Sequence, residues 1–166
     1  MDRVAGIAST LDPPLGCSGG SPRASVMMAL EHHPVVWLSS IRPDGRPHLL
    51  PLWFHWDGVS ILIFSKPHAQ KVRNLRADPR VMVAIGDTGQ DFDVELIEAK
   101  AEILSVLTES VVPDAFLAKY AAQMSLSGLS RKRFSEVYAQ PIRIRPTRYL
   151  EWGGPGWGAR PAVAIG

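Results

Sequence analysis

The stretch Trp37–Ile85, WLSSIRPDGRPHLLPLWFHWDGVSILIFSKPHAQKVRNLRADPRVMVAI, carries most of the information about how this chain folds. It opens within Val35–Ile41, an apolar run rich in β-branched and aromatic residues, which predicts a strand. Pro43-Asp44-Gly45 follows as a turn, because proline presets φ and glycine accepts a positive φ. Pro47–Trp56 predicts a second strand, Asp57-Gly58 a hairpin turn and Val59–Phe64 a third strand. The opening is therefore expected to be a three-strand antiparallel meander. Ser65-Lys66-Pro67 then predicts a helix start, with Val72 and Leu75 on one side. Asp78-Pro79 ends that helix, since the residue before proline disfavours the helical region, and Arg80–Ile85 returns as a short buried strand.

Upstream, Ser21-Pro22 predicts the cap and first turn of a helix with Val26, Met27 and Leu30 on one face, and the Gly-, Pro- and Ser-rich residues 1–22 read as a flexible tail. Downstream, Asp93–Leu104 alternates, with Ile97, Ala99, Ala101 and Ile103 on one face, as a half-solvated antiparallel strand does. Pro113 opens a helix carrying Phe116, Leu117, Tyr120 and Met124, and Ser130 caps another carrying Phe134, Val137 and Tyr138. Ile142–Leu150 is the last predicted strand, and residues 153–166 read as a second tail. Six strands with helices inserted late predict a mainly β fold, a closed or partly open antiparallel β-barrel over residues 23–152, because closure removes unpaired edges.

A chain of 166 residues corresponds to one domain, and 46% hydrophobic with 20% charged residues is a globular composition. The single cysteine, Cys17, excludes an internal disulfide framework and a Cys-rich zinc site. A net charge of +2 names no partner. No apolar run reaches the roughly 18 residues of a membrane span, and the first 25 residues hold no apolar core of a secretory signal, so a cytoplasmic location is expected. His32, His33, His48, His55 and His68 form no compact metal-ligand spacing, so no metal site is expected. Neither a Gly-x-Ser-x-Gly elbow nor a strand followed by Gly-x-Gly-x-x-Gly is present, which argues against a hydrolase nucleophile and a nicotinamide dinucleotide fold. The aromatics Trp53, Phe54 and Trp56 lie on a strand without Lys or Arg, which argues against a nucleic-acid surface.

Charge is unevenly distributed. Residues 65–80 carry Lys66, Lys71, Arg73, Arg76 and Arg80 against Asp78 alone, whereas residues 87–102 carry six carboxylates against Lys100. A basic helix that begins right after a strand suits an anion, because its first N–H groups are unpaired and its dipole is positive there. The same residues also suit a solvated helix face paired with the acidic strand, and residue types alone leave both open.

The Trp37–Ile85 stretch resembles the split-barrel flavin and deazaflavin reductases related to pyridoxamine 5′-phosphate oxidase. Three features carry the likeness: the strand–Pro-Asp-Gly–strand opening that runs into Pro51-Leu52-Trp53-Phe54; the strand end Phe64-Ser65 followed by Lys71-Val72-Arg73-Asn74-Leu75; and Asp78-Pro79-Arg80-Val81 entering the next strand. Ile97-Glu98-Ala99-Lys100-Ala101 resembles the family's glutamate-containing fifth strand, with Ala99 where glycine is usual. The resemblance implies a six-stranded split β-barrel of the FMN-binding type and a homodimer with a flat tricyclic cofactor at the subunit interface. By position, Lys71 would bind the cofactor phosphate with Phe64, Ser65 and Gln70 beside it, and Pro51, Leu52 and Trp53 would lie along the ring. Trp152 resembles a C-terminal aromatic that approaches the partner's cofactor. Trp53 equally suits a strand aromatic in the core, Ser65 a helix cap and Trp152 an interface aromatic without cofactor contact.

The short opening with Pro51-Leu52-Trp53-Phe54 and Lys71–Leu75 looks more like the branch that uses the deazaflavin coenzyme F420 than the FMN branch. The family's oxidases of pyridoxamine phosphate carry a C-terminal arginine–histidine pair, and Gly158-Ala159-Arg160-Pro161 has no histidine near it. The expected function is hydride transfer between reduced F420 and a small conjugated organic substrate. An apolar acceptor is favoured, because Pro51, Leu52 and Trp53 offer little charge. An FMN-dependent oxidoreductase and a non-enzymatic flavin or haem binder are the alternatives. No side chain is singled out as acid or base, so catalytic residues stay unassigned.

Overall fold

The computed structural model describes residues 24–87 and 93–152. Its first hairpin follows from local chemistry. Gly45 takes a φ of 82° and its N–H donates to the Arg42 carbonyl at 2.8 Å, which turns β1 (Val36–Ile41) back along β2 (Pro47–Leu52). The register runs from Val36 opposite Leu52 to Ile41 opposite Pro47, and Val36, Leu38 and Ser40 point inward. A second tight turn joins β3 (His55–Trp56) to β4 (Ile61–Ser65). Here the Asp57 carboxylate accepts the N–H groups of Val59 and Ser60 at 2.9 and 2.6 Å, with Gly58 at φ 89°.

Helix α1 (Ala24–His32) buries Val26 and Leu30, and α2 (Gln70–Ala77) buries Val72 and Leu75. The start of α2 lies later than Ser65-Lys66-Pro67, because the Ala69 N–H closes a separate turn onto the Lys66 carbonyl at 3.1 Å before the helix begins. After Asp78-Pro79 the chain forms β5 (Arg80–Asp87), β6 (Asp93–Ile103) and, beyond four short helices, β7 (Gln140–Trp152). Those helices are α3 (Thr108–Val111), α4 (Asp114–Lys119), α5 (Ala121–Leu126) and α6 (Arg131–Val137). Ser130 caps α6 as expected, its hydroxyl accepting the Arg133 N–H at 3.2 Å. The single helix expected from Pro113 onward is divided at Tyr120 into α4 and α5.

The seven strands among the described residues belong to one antiparallel sheet in the order β2-β1-β5-β6-β7-β4-β3. The fold is the expected mainly β split barrel, with seven strands rather than six. The difference lies in Pro47–Trp56, which is two strands and not one. The two pieces stand at opposite margins of the sheet, joined through Trp53-Phe54, so the curled sheet begins and ends in one continuous segment. The expected meander is therefore two separate hairpins. Phe54 leaves the ladder because its backbone is satisfied elsewhere: its N–H donates to the Tyr120 hydroxyl at 3.0 Å.

Burial divides into two clusters that share β4. Ile61 and Ile63 face the barrel interior with Val36, Leu38, Val83, Ile85, Ile97, Ile142 and Ile144. Leu62 and Phe64 face the inserted helices, packing with Phe116, Tyr120, Met124 and Phe134. A strand covered on both faces reads as a continuous apolar run, which is what Ile61–Phe64 is.

Candidate cofactor-binding site

The end of β4 and the start of α2 bring together a cation and little to neutralise it. Lys71 folds back so that Nζ donates to Ser65 Oγ at 3.2 Å, and the Ser65 hydroxyl donates to the Lys66 carbonyl at 3.1 Å. Lys71 retains only 9% of its surface and Ser65 none. Ion pairs among the described residues involve arginine and histidine cations, never Lys71. Burial, with Lys66 nearby, pushes the Lys71 ammonium below its usual pKa. Ala69, which precedes α2, offers no side-chain cap, so the leading N–H groups of the helix are left for another acceptor. A buried cation without a carboxylate, beside a helix N-terminus, is fitted to a phosphate group.

A polar chain braces this corner. Gln70 Nε2 donates to Asn74 Oδ1 at 2.7 Å, and Asn74 Nδ2 donates to Ser40 Oγ at 2.9 Å, with Ser40 and Asn74 both buried. Arg73 donates to Gln70 Oε1 and to the His68 carbonyl at 2.5 and 2.8 Å. The Gln70 side chain is thus engaged within its own helix, and Asn74 ties α2 to β1, one strand away from β2.

Among the residues expected along the ring, Pro51 is exposed and sits opposite Trp37, while Leu52 is half-buried against the barrel core. Trp53 is half-buried and stacks on Tyr120, with ring centroids 4.7 Å apart and planes 7° from parallel. Phe64 meets Phe116 and Phe134 edge-on at 5.0 and 5.6 Å, so its ring belongs to the helix-side cluster and only its backbone borders Ser65. Ser65 pairs with Gln140 at the start of β7, whereas Trp152 ends the same strand opposite Val94. At roughly 3.3 Å per residue those positions are about 40 Å apart along the strand. One chain brings Phe64, Ser65, Gln70 and Lys71 together; it does not bring Trp152 to them. The Trp152 side chain lies outside the described residues, as do residues 1–23 and 153–166.

The sequence profile of the pyridoxamine 5′-phosphate oxidase family matches residues 22–152. The chain belongs to that family. Membership goes with flavin-type cofactor binding and oxidoreductase chemistry at the family level. Solved structures of the same fold include an F420 reductase (24% identity, TM-score 0.64, covering 78% of this chain and 98% of the other). They include the conserved hypothetical protein Rv2991 of Mycobacterium tuberculosis (24% identity, TM-score 0.67, 89% and 93% covered). They also include an FAD-binding protein of Mesorhizobium loti (20% identity, TM-score 0.55, 76% and 92% covered). No described helix of this pyridoxamine 5′-phosphate oxidase family barrel is long and apolar enough to cross a membrane.

Sequence reasoning missed Tyr120. Its hydroxyl accepts the Phe54 N–H and shares its proton between the carbonyls of Pro34 and Phe54, at 2.9 and 3.1 Å. Burial pushes its pKa up to about 12. Phe116, Tyr120 and Met124 at helical spacing signal a core face, and nothing in that spacing reveals a hydroxyl partner 66 residues upstream. Ser40 and Asn74 were missed for the same reason.

Proposed function

We propose that this chain is an F420-dependent reductase that passes a hydride to a small conjugated substrate. The observation that carries the reading is Lys71, a buried cation held by Ser65 beside the open start of α2. Lys71 and the first N–H groups of α2 would bind the cofactor phosphate, and Pro51, Leu52 and Trp53 would lie along its ring with their backbone groups toward its edge. When bound, the reduced deazaflavin supplies a hydride, and solvent supplies the proton that completes reduction of the acceptor. Trp53, fixed by its stack on Tyr120, limits the ring to one plane and keeps water from that side. Support for F420 over FMN comes from the Lys71–Leu75 and Pro51–Phe54 motifs and from the fold shared with an F420 reductase; the fold shared with an FAD-binding protein favours the FMN-type alternative.

The working unit of this reading is a homodimer in the cytoplasm. Pro51, opposite Trp37, shares its strand face with Leu49, and Ile41 stands opposite Pro47 on that face; Leu49, Trp37 and Ile41 are 58%, 46% and 42% exposed. Such an apolar face beside the ring-bearing strand suits a second copy, which could also carry Trp152 to the site. The deciding experiment is titration of the purified protein with F420 and with FMN, followed by absorption and fluorescence. Saturable quenching with F420 and a slower or absent reaction with oxygen is the expected result. Tight FMN with oxygen consumption replaces the reading with the FMN alternative, and binding of neither removes it.

A further inference from the structure

A second cation stands at the Trp53-Phe54 break, on the helix side. Lys119 ends α4 with Nζ 3.9 Å from the centre of the Phe54 ring and 5.6 Å from that of Tyr120. None of the ion pairs among the described residues includes it. His55, the first residue of β3, feels both the Lys119 charge, which lowers its pKa, and the Asp57 carboxylate, which raises it. The corner has a defined shape. Phe54 and Tyr120 are buried and form its back, whereas Trp53, His55 and Lys119 are half-buried and open to solvent. Lysine has a four-carbon stem with which to escape into water, and here the ammonium is instead held on an aromatic face next to the stacked Trp53.

We propose that Lys119, with His55 beside it, is an anion-binding site that takes the carboxylate of a flat conjugated substrate whose unsaturated part reaches toward the proposed cofactor ring. The inference rests on the reading of Pro51–Trp53 as the ring-bearing strand, and it changes the substrate expected from that strand alone. The acceptor is a conjugated acid rather than a neutral apolar molecule. Lys119 donates to the carboxylate and the neutral His55 imidazole donates a second N–H. Burial pushes both the Lys119 and His55 pKa values down, in His55 against the opposing pull of the Asp57 carboxylate.

The test uses cinnamate, its uncharged isostere cinnamamide, and phenyl phosphate, with binding followed by ligand-detected NMR on the full chain. Wild type is expected to bind cinnamate about 10- to 100-fold more tightly than cinnamamide, the range of a charge-assisted hydrogen bond. Lys119→Met should remove that preference and Lys119→Arg should keep it, with unchanged melting and unchanged F420 affinity in both. The tighter of cinnamate and phenyl phosphate identifies the anion, and a clear preference for the phosphate would overturn the assignment to a carboxylate. Equal binding of cinnamate and cinnamamide by wild type, or a preference that survives in Lys119→Met, overturns the site itself. F420 and FMN titrations of the same samples separate this from the proposed function: a carboxylate preference without cofactor binding leaves the anion site standing and removes the reductase reading.

Discussion

Replacing Lys71 with methionine should move stability and cofactor affinity in opposite directions. The lysine keeps 9% of its surface and among the described residues has one partner, the Ser65 hydroxyl at 3.2 Å, so its charge is desolvated and poorly compensated. Methionine has nearly the length of the lysine stem and no charge. Exchanging a buried ion pair for hydrophobes of similar volume is often neutral or stabilising by about 1–4 kcal/mol, and the low end is taken for a single cation that still reaches some solvent. For a chain of this size about 1 kcal/mol moves Tm by roughly 2–4 °C, upward here. Binding loses a charge-assisted hydrogen bond of about 1.5–3 kcal/mol, or roughly 10- to 100-fold in Kd. Scanning calorimetry of the cofactor-free protein and fluorescence titration with F420 measure the two effects. The pH dependence has a definite sign. The folded pKa of Lys71 lies below its usual 10.5, so below the folded value both states are protonated and the burial cost is fully present. Between that value and 10.5 the unfolded chain binds more protons, so wild-type stability gains from this group as pH rises, and Lys71→Met should flatten that gain. A lower Tm together with unchanged affinity would refute the reasoning and leave Lys71 a structural residue.

Tyr120→Phe should lower Tm, because it leaves the Phe54 N–H and the Pro34 carbonyl without their partner at a cost of about 1–3 kcal/mol. In wild type one of the three tyrosines should ionise near pH 12 in an absorbance titration, and unchanged melting of the variant would show that water takes over the role. Leu49→Glu places a charge on the exposed apolar face of β2 and should convert the proposed homodimer to an 18.2 kDa species in light scattering at micromolar concentration. A wild type that already scatters as 18.2 kDa, or a variant that remains dimeric, would place the interface elsewhere or remove it.

What the sequence reveals is what neighbours in sequence decide. The turns at Pro43-Asp44-Gly45 and Asp57-Gly58, the apolar run of β4, the Ser130 cap and the stop at Asp78-Pro79 each depend on a few adjacent residues, and each is where it was expected. The break at Trp53-Phe54 is different in kind. Those residues have strand propensity, and they leave the ladder only because a phenol from α4–α5 reaches them across 66 residues. The proposed anion corner of Lys71 and Ser65 was legible because a strand end, a helix start and a cation follow each other within seven residues. The proposed site at Lys119 was not, since its approach to Phe54 is set by tertiary packing, and without it the Pro51–Trp53 strand looks purely apolar.

The position of β7 in the sheet has a consequence for the order in which the chain is assembled. It lies between β6 and β4, pairing with β6 over Val94–Ile103 and with β4 over Ile61–Ser65. Ile61 meets Ile144 only after more than 80 intervening residues have been added, whereas both hairpins of the first half close over a handful. During synthesis the two hairpins are complete long before the strand that joins them exists. A nascent or truncated chain that stops before Gln140 therefore carries two bare ladder margins, one on β4 and one on β6, where the finished barrel has none at those strands. Such margins are templates for pairing with other chains, so the last described strand protects the protein from association as well as completing its core.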